Sequence, residues 1–133
     1  MASKHYLALD VGEKRIGVAL ADDAIKIAVA YDTIAVDGTE VQQIADLLRR
    51  ESIDVLVIGY PRNQSGEATK QTEYVERFAA KLASYGAPIV YQDESVTSVQ
   101  AETILKNQKQ PYQKADIDAL AASLILQDYM ESL

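Results

Sequence analysis

Three stretches of the chain carry an acid where an acid is expensive unless it has a task. Asp10 ends the apolar run Leu7-Ala-Leu-Asp10-Val-Gly, and Asp93 and Glu94 end Ile89-Val-Tyr-Gln-Asp-Glu. Asp118 lies in Ile117-Asp-Ala-Leu-Ala-Ala, the start of a helix that is apolar on nearly every side. Withdrawing an ionised carboxylate from water is costly unless it is paired, hydrogen-bonded or bound to a metal. If the fold gathers the three, a divalent cation is the simplest account of the cluster. The chemistry such a site supports is metal-dependent phosphoryl transfer. Composition narrows the choice further. The chain has no cysteine, so neither a disulfide framework nor a thiolate zinc site is available. His5 is the sole histidine and precedes the first strand, which removes Ser-His-Asp and histidine-rich metal chemistry. Aspartate and glutamate must carry any catalysis, and their oxygens suit Mg²⁺ or Mn²⁺.

The elements that must position these acids can be read from periodicity and turn signals. Residues 5–11 and 15–21 are rich in strand formers and are separated by the turn Gly12-Glu13-Lys14; residues 27–36 add a third antiparallel strand. After Asp37-Gly38, Thr39 with Gln42 has the spacing of a capping box, and Val41, Ile44, Ala45, Leu47 and Leu48 share one helix face. Ile53–Ile58 is apolar enough for a central parallel strand, and 59–66 reads as a loop. A helix is expected over 67–85, with Val75, Phe78, Ala79 and Leu82 inward and Gly86 as its stop. A strand at 88–92, a helix capped by Thr97 or Ser98 and carrying Ala101, Ile104 and Leu105, a polar loop at 107–114 and a helix at 115–131 complete the chain. The order predicts an α/β fold: a mixed five-stranded sheet, three antiparallel strands then two parallel, with helices on both faces. At 133 residues one domain is expected.

Each candidate has an ordinary explanation beside the chemical one. A lone Asp before Val-Gly is more often a turn residue bonded to its own loop. Asp10, however, falls inside the alternating pattern, and ligands of open α/β sheets sit at the carboxyl ends of central strands. Of Asp93 and Glu94, one can cap the following turn while the other faces the crevice. Asp116 is a satisfactory N-cap for the last helix and an acid in the first turn suits the helix dipole. Asp118 shares a face with Ala121, Ala122 and Ile125, which is not the face of a solvated acid. Lys14, Arg15, Arg62, Asn63, Lys106, Lys109 and Lys114 are candidate phosphate contacts, although any one of them alone is ordinary surface charge. The stretch 106–114 is basic, amide-rich and free of acids, which suits a polyanionic substrate. The net charge of −7 confines any nucleic-acid site to a local patch helped by cations. With no signal-peptide pattern and no apolar stretch long enough to span a bilayer, a soluble cytoplasmic protein is expected.

With these residues placed, the chain resembles the YqgF/RuvX family of Holliday junction resolvases within the ribonuclease H-like superfamily. The resemblance rests on Leu9-Asp-Val-Gly-Glu-Lys-Arg-Ile-Gly-Val-Ala19, Val57-Ile-Gly-Tyr-Pro61, Asp93-Glu-Ser-Val-Thr97 and Ile117-Asp-Ala-Leu-Ala-Ala-Ser-Leu-Ile-Leu-Gln127, in order and almost end to end. It implies a single ribonuclease H-like nuclease domain over 1–133. It also implies an acidic triad, Asp10, Glu94 and Asp118, that is both catalytic and metal-binding and holds one or two Mg²⁺ or Mn²⁺ ions. Lys14, Arg15, Arg62, Asn63, Thr97, Lys109 and Lys114 are then the substrate-binding candidates. The family is linked to branched-DNA resolution and to trimming the 5′ end of precursor 16S ribosomal RNA. The RNA role is the preferred expectation, because no strong basic face for a four-way junction is visible. Where the family has an arginine after Asp-Glu this chain has Ser95, which removes a bidentate phosphate contact; Ser98 replaces a threonine and Tyr60 a common leucine. Two rivals remain. One is a non-catalytic nucleic-acid-binding module, which the acidic charge and Ser95 would fit. The other, ranked lower, is an ATPase of the actin and sugar-kinase type, which would need a second phosphate hairpin and a second domain. The expected partner is nucleic acid, with no membrane association, and the protein is expected to act as a monomer or a homodimer.

Overall fold

Alternation of side chains along five strands decides where each carboxylate lies. The computed structural model describes residues 3–61, 69–94, 97–108, 111 and 113–133, and the side chains of 94, 97–100 and 102 lie outside that description. The strands are β1 His5–Val11, β2 Arg15–Asp22, β3 Val29–Ala35, β4 Val55–Pro61 and β5 Ile89–Glu94. The helices are α1 Glu40–Arg50, α2 Lys70–Leu82 (followed by a 3₁₀ turn, Ala83–Tyr85), α3 Thr97–Asn107 and α4 Lys114–Glu131. The sheet order is β3-β2-β1-β4-β5. β1 pairs antiparallel with β2 and parallel with β4; β2–β3 is antiparallel and β4–β5 parallel. This is the expected mixed sheet, with helices on both faces.

On one face Leu7, Leu9, Ile16, Val18, Leu56 and Ile58 pack with Ile44, Leu47 and Leu48 of α1 and Val75, Phe78 and Leu82 of α2. On the other, Tyr6, Ala8, Ala19, Ala21 and Val57 pack with Ala122, Ile125, Leu126 and Met130 of α4. The residues under α4 are mostly small, so that helix comes close to the sheet. Asp10 has the parity of Tyr6 and Ala8, and therefore belongs to the α4 face. Among the described residues no helix is long and apolar enough to cross a membrane.

Several local expectations change. Thr39 precedes α1 but makes no side-chain cap. Its hydroxyl donates to Asp37 Oδ1 at 2.6 Å instead, and Glu40 Oε1 accepts from the Asp37 and Gly38 backbone N–H groups. The third strand is shorter than 27–36. The preceding residues are held by Gln127, whose amide accepts from Ala28 N–H and donates to Lys26 C=O. The loop expected at 59–66 starts later, because Tyr60 and Pro61 continue β4 beside Asp93 and Glu94; 62–66 lie outside the described residues. Both acids thus belong to β5 rather than following it. α2 begins at Lys70 under a Thr69–Thr72 capping box, and Gly86 stops the chain as expected, at φ +97°. Asp116 is not the N-cap of α4. Gln113 is, and Asp116 Oδ2 accepts from its backbone N–H at 2.8 Å. Ala101 is buried as expected, whereas Ile104 is exposed.

Candidate active site

Asp10 is the tenth residue of the chain and Asp118 is more than a hundred positions away, so their meeting is a property of the fold. β1 carries Asp10 to the carboxyl edge of the sheet, where its register partner on β2 is Gly17. α4 crosses β2 at that glycine. A Cβ there would lie 1.9 Å from the Asp118 carbonyl oxygen and 2.3 Å from its carbon. Only glycine lets α4 sit so close at Asp118, and this contact places Asp118 in the same cleft as Asp10. The two acids line one cleft of about 240 Å³ together with Val11, Gly12, Arg15, Pro61 and Gln71.

Two other contacts hold the strand ends that form the cleft. Gln71, in the first turn of α2, donates its amide to Val11 C=O at 3.1 Å. Thr72, fully buried, donates its hydroxyl to Pro61 C=O and accepts from Thr69 N–H. The first turn of α2 therefore ties down the carboxyl ends of both β1 and β4. Gly17, Gln71 and Thr72 are not among the residues picked from the sequence. An isolated glycine within a strand pattern was the available signal for Gly17; nothing local marks the other two.

Arg15 does more than line the cleft. Its Nε donates to Asp118 Oδ2 at 2.6 Å, a charge-assisted contact between side chains that are 37% and 20% exposed. Arg15, a candidate phosphate contact, thus has its guanidinium engaged with Asp118 inside the cleft. Lys14 is exposed in the β1–β2 turn, and Lys114 is exposed at the start of α4, one helical turn before Asp118. Thr97 opens α3, with its side chain outside the description; Arg62, Asn63 and Lys109 lie outside the described residues. His5 is exposed at the opposite end of β1 from Asp10, so imidazole chemistry has no place in this cleft.

Among the described residues no three His, Cys, Asp or Glu side chains cluster as a metal cage. The cleft supplies two carboxylates, and Glu94 adds a backbone at the sheet edge, paired with Pro61. An all-oxygen set of this size fits Mg²⁺, which is held by one or two carboxylates with water and substrate phosphate filling the remaining positions. Larger hollows of about 390 and 530 Å³ lie elsewhere, and neither is lined by Asp10 or Asp118.

Three comparisons bear on this arrangement. The profile of a family described as RuvX, Holliday junction resolvase, matches residues 4–132. A protein of Chloroflexus aurantiacus named "Putative pre-16S rRNA nuclease" is 44% identical over 137 residues, covering 99% of this chain and 90% of that relative. A protein of the same name from Crocosphaera subtropica is 42% identical, covering 94% of this chain and 91% of the relative. Among solved structures, T. thermophilus RuvC in complex with a Holliday junction superposes with TM-score 0.56 at 15% identity, covering 97% of this chain and 94% of that one. The Fowlpox virus resolvase with its junction DNA gives 0.58 at 18% identity, covering 96% and 97%. At such identities the structures speak for the fold alone, and they bear out the expected ribonuclease H-like fold.

Proposed function

Because the chain belongs to the RuvX family of Holliday junction resolvases, we propose that it is a divalent-metal-dependent nuclease hydrolysing phosphodiester bonds in 5′-end maturation of precursor 16S ribosomal RNA. The relatives that carry the name of a pre-16S rRNA nuclease support the substrate. The observation that carries the chemistry is the convergence of Asp10 and Asp118 in one cleft, from opposite ends of the chain. Strand alternation supports Glu94 as the third acid. Val90 packs on the α4 side, so position 94 shares its parity, whereas Asp93 shares that of Tyr91.

In this reading Asp10, Glu94 and Asp118 hold Mg²⁺ or Mn²⁺. When bound, the cation would supply a water of lowered pKa and positive charge for the leaving oxygen. The chain's own contribution is placement. Gly17 and the first turn of α2 hold two carboxylate-bearing elements and the cleft wall rigid, so little reorganisation remains for the reaction itself. Lys14, next in sequence to the cleft residue Arg15, and Lys114, one helical turn before Asp118, are exposed and would attract and orient the phosphate backbone; Arg62, Asn63, Thr97 and Lys109 are proposed further contacts. On an acidic protein these local cations must do what a broad basic face does elsewhere, so binding should weaken steeply with salt.

The family description makes junction resolution the second reading. A four-way junction has two symmetry-related scissile bonds and calls for two copies of the protein, whereas trimming an RNA end calls for one. The test is a cleavage panel of precursor 16S RNA, single strands and four-way junctions with Mg²⁺ or Mn²⁺, run beside Asp10→Asn and Glu94→Gln. Cleavage of the precursor that both substitutions abolish supports the proposal. Activity equal in wild type and both variants sinks it and favours a binding module. Cleavage confined to junctions, by a dimer, moves the substrate to DNA.

A further inference from the structure

The ion pair inside the cleft joins residues 103 positions apart and engages an acid that the function needs elsewhere. We propose that Arg15 is the resident counter-ion of Asp118: its guanidinium holds the carboxylate in place while the cleft is metal-free, and must release it before the carboxylate can coordinate a divalent cation. This rests on the metal-dependent reading above. The cause is electrostatic. Asp10 and Asp118 share a small cleft, and Asp118 is only 20% exposed. Two carboxylates brought together repel, and a partly desolvated one needs a cation. Arg15 provides it at 2.6 Å.

The surrounding backbone confines the exchange to one side chain. Arg15 C=O accepts from Gly12 N–H at 3.0 Å to close the β1–β2 turn, and residue 15 is register partner to Ala35 of β3. Its main chain is therefore fixed by both neighbours. Asp118 is fixed in turn by the contact of its carbonyl with Gly17. What remains free to turn is the arginine side chain, which is 37% exposed at the mouth of the cleft. Release leaves a guanidinium beside exposed Lys14, where a substrate phosphate would arrive. One arginine thus serves first the acid and then the polyanion.

Isothermal titration of Mn²⁺ into the intact protein without nucleic acid tests the exchange. Arg15→Gln removes the competitor and should bind Mn²⁺ about two- to fivefold tighter than wild type, the upper part of the range for an ion pair that is not fully buried. Arg15→Lys should fall between, and carries the test if the glutamine variant does not fold. Lys14→Gln removes the same charge one residue away; its affinity should stay within about twofold of wild type, since exposed charge is screened. In ¹⁵N–¹H spectra the Arg15 Nε–H signal should be protected without metal and lose protection when Mg²⁺ saturates. The proposal is overturned if Arg15→Gln binds Mn²⁺ no more tightly than wild type. It is equally overturned if Lys14→Gln gains as much, or if the Nε–H signal keeps its protection at saturation. Binding that ignores Arg15 removes this proposal alone; no Mn²⁺ binding by either protein removes the metal reading with it.

Discussion

Replacing Gly17 with alanine should move Asp118, a proposed catalytic acid, without altering its side chain. The new Cβ would stand 1.9 Å from the Asp118 carbonyl oxygen, against an ordinary contact of at least 3.4 Å, a shortfall of 1.5 Å. The obstructing atoms are backbone, including Ala119 N at 3.0 Å, so no side chain can rotate to relieve the clash. Ala122, Ile125, Leu126 and Met130 keep the rest of α4 anchored on the sheet, so its N-terminal end through Ala119 must tilt away from β2. Overpacking of this kind costs about 1–3 kcal/mol, which for a chain of this size lowers Tm by about 3–15 °C. Misplacing a catalytic group by an ångström or more costs about 10²-fold in rate. Thermal melting and cleavage of precursor RNA by the same preparation measure both effects. Gly86→Ala is the control. It strains a φ of +97° by about 1–2 kcal/mol, meets no atom within 4 Å, and should leave cleavage unchanged. Gly17→Ala with wild-type melting and wild-type cleavage would refute the close-approach argument. Lower melting with full activity would show that Asp118 need not sit where the glycine puts it.

Two further outcomes follow from single side chains. Thr72→Val leaves Pro61 C=O and Thr69 N–H without their buried partner; urea unfolding should report a loss of about 1–3 kcal/mol, and a change near zero would mean that the first turn of α2 does not hold β4. Burial first, then the negative charges of Asp23, Tyr129 and Asp54, raises the Tyr6 phenol above its ordinary 10.0. Above pH 10 the unfolded chain loses that proton while the folded chain keeps it, so stability is full below pH 10 and falls as pH rises through the raised folded value. Tyr91 is raised in the same direction, by burial and Glu76, so Tyr6→Phe should flatten the alkaline loss only in part. An unchanged pH profile in Tyr6→Phe would contradict the assignment of that alkaline loss to Tyr6.

What the chain made legible follows from how local each signal is. The strands holding Asp10 and Glu94 could be read because their alternation is local, and the crossover β-α-β order left few sheets to choose from. Asp118 stood out because it sits on an apolar helix face. The local caps were harder. Thr39 loses its cap to Asp37 and Glu40, and Asp116 serves Gln113, since Asp, Glu and Thr compete for the same orphan N–H groups within a few residues. The contacts that position the site were hidden for a different reason. Gly17 against Asp118, Arg15 with Asp118, and Thr72 with Pro61 each join segments distant in sequence, so no window of residues displays them. The sequence marked Asp118 as an acid on an apolar face; the fold adds the arginine that pairs with it.

The central claim is that carboxylates from β1, β5 and α4 share one hard cation. Anomalous diffraction from crystals soaked in Mn²⁺ measures that directly. A peak is expected about 2.1 Å from carboxylate oxygens of Asp10 and Asp118, with Glu94 adjoining and Arg15 turned away from Asp118. A cleft without a peak at saturating Mn²⁺, with Arg15 still holding Asp118, would contradict that claim.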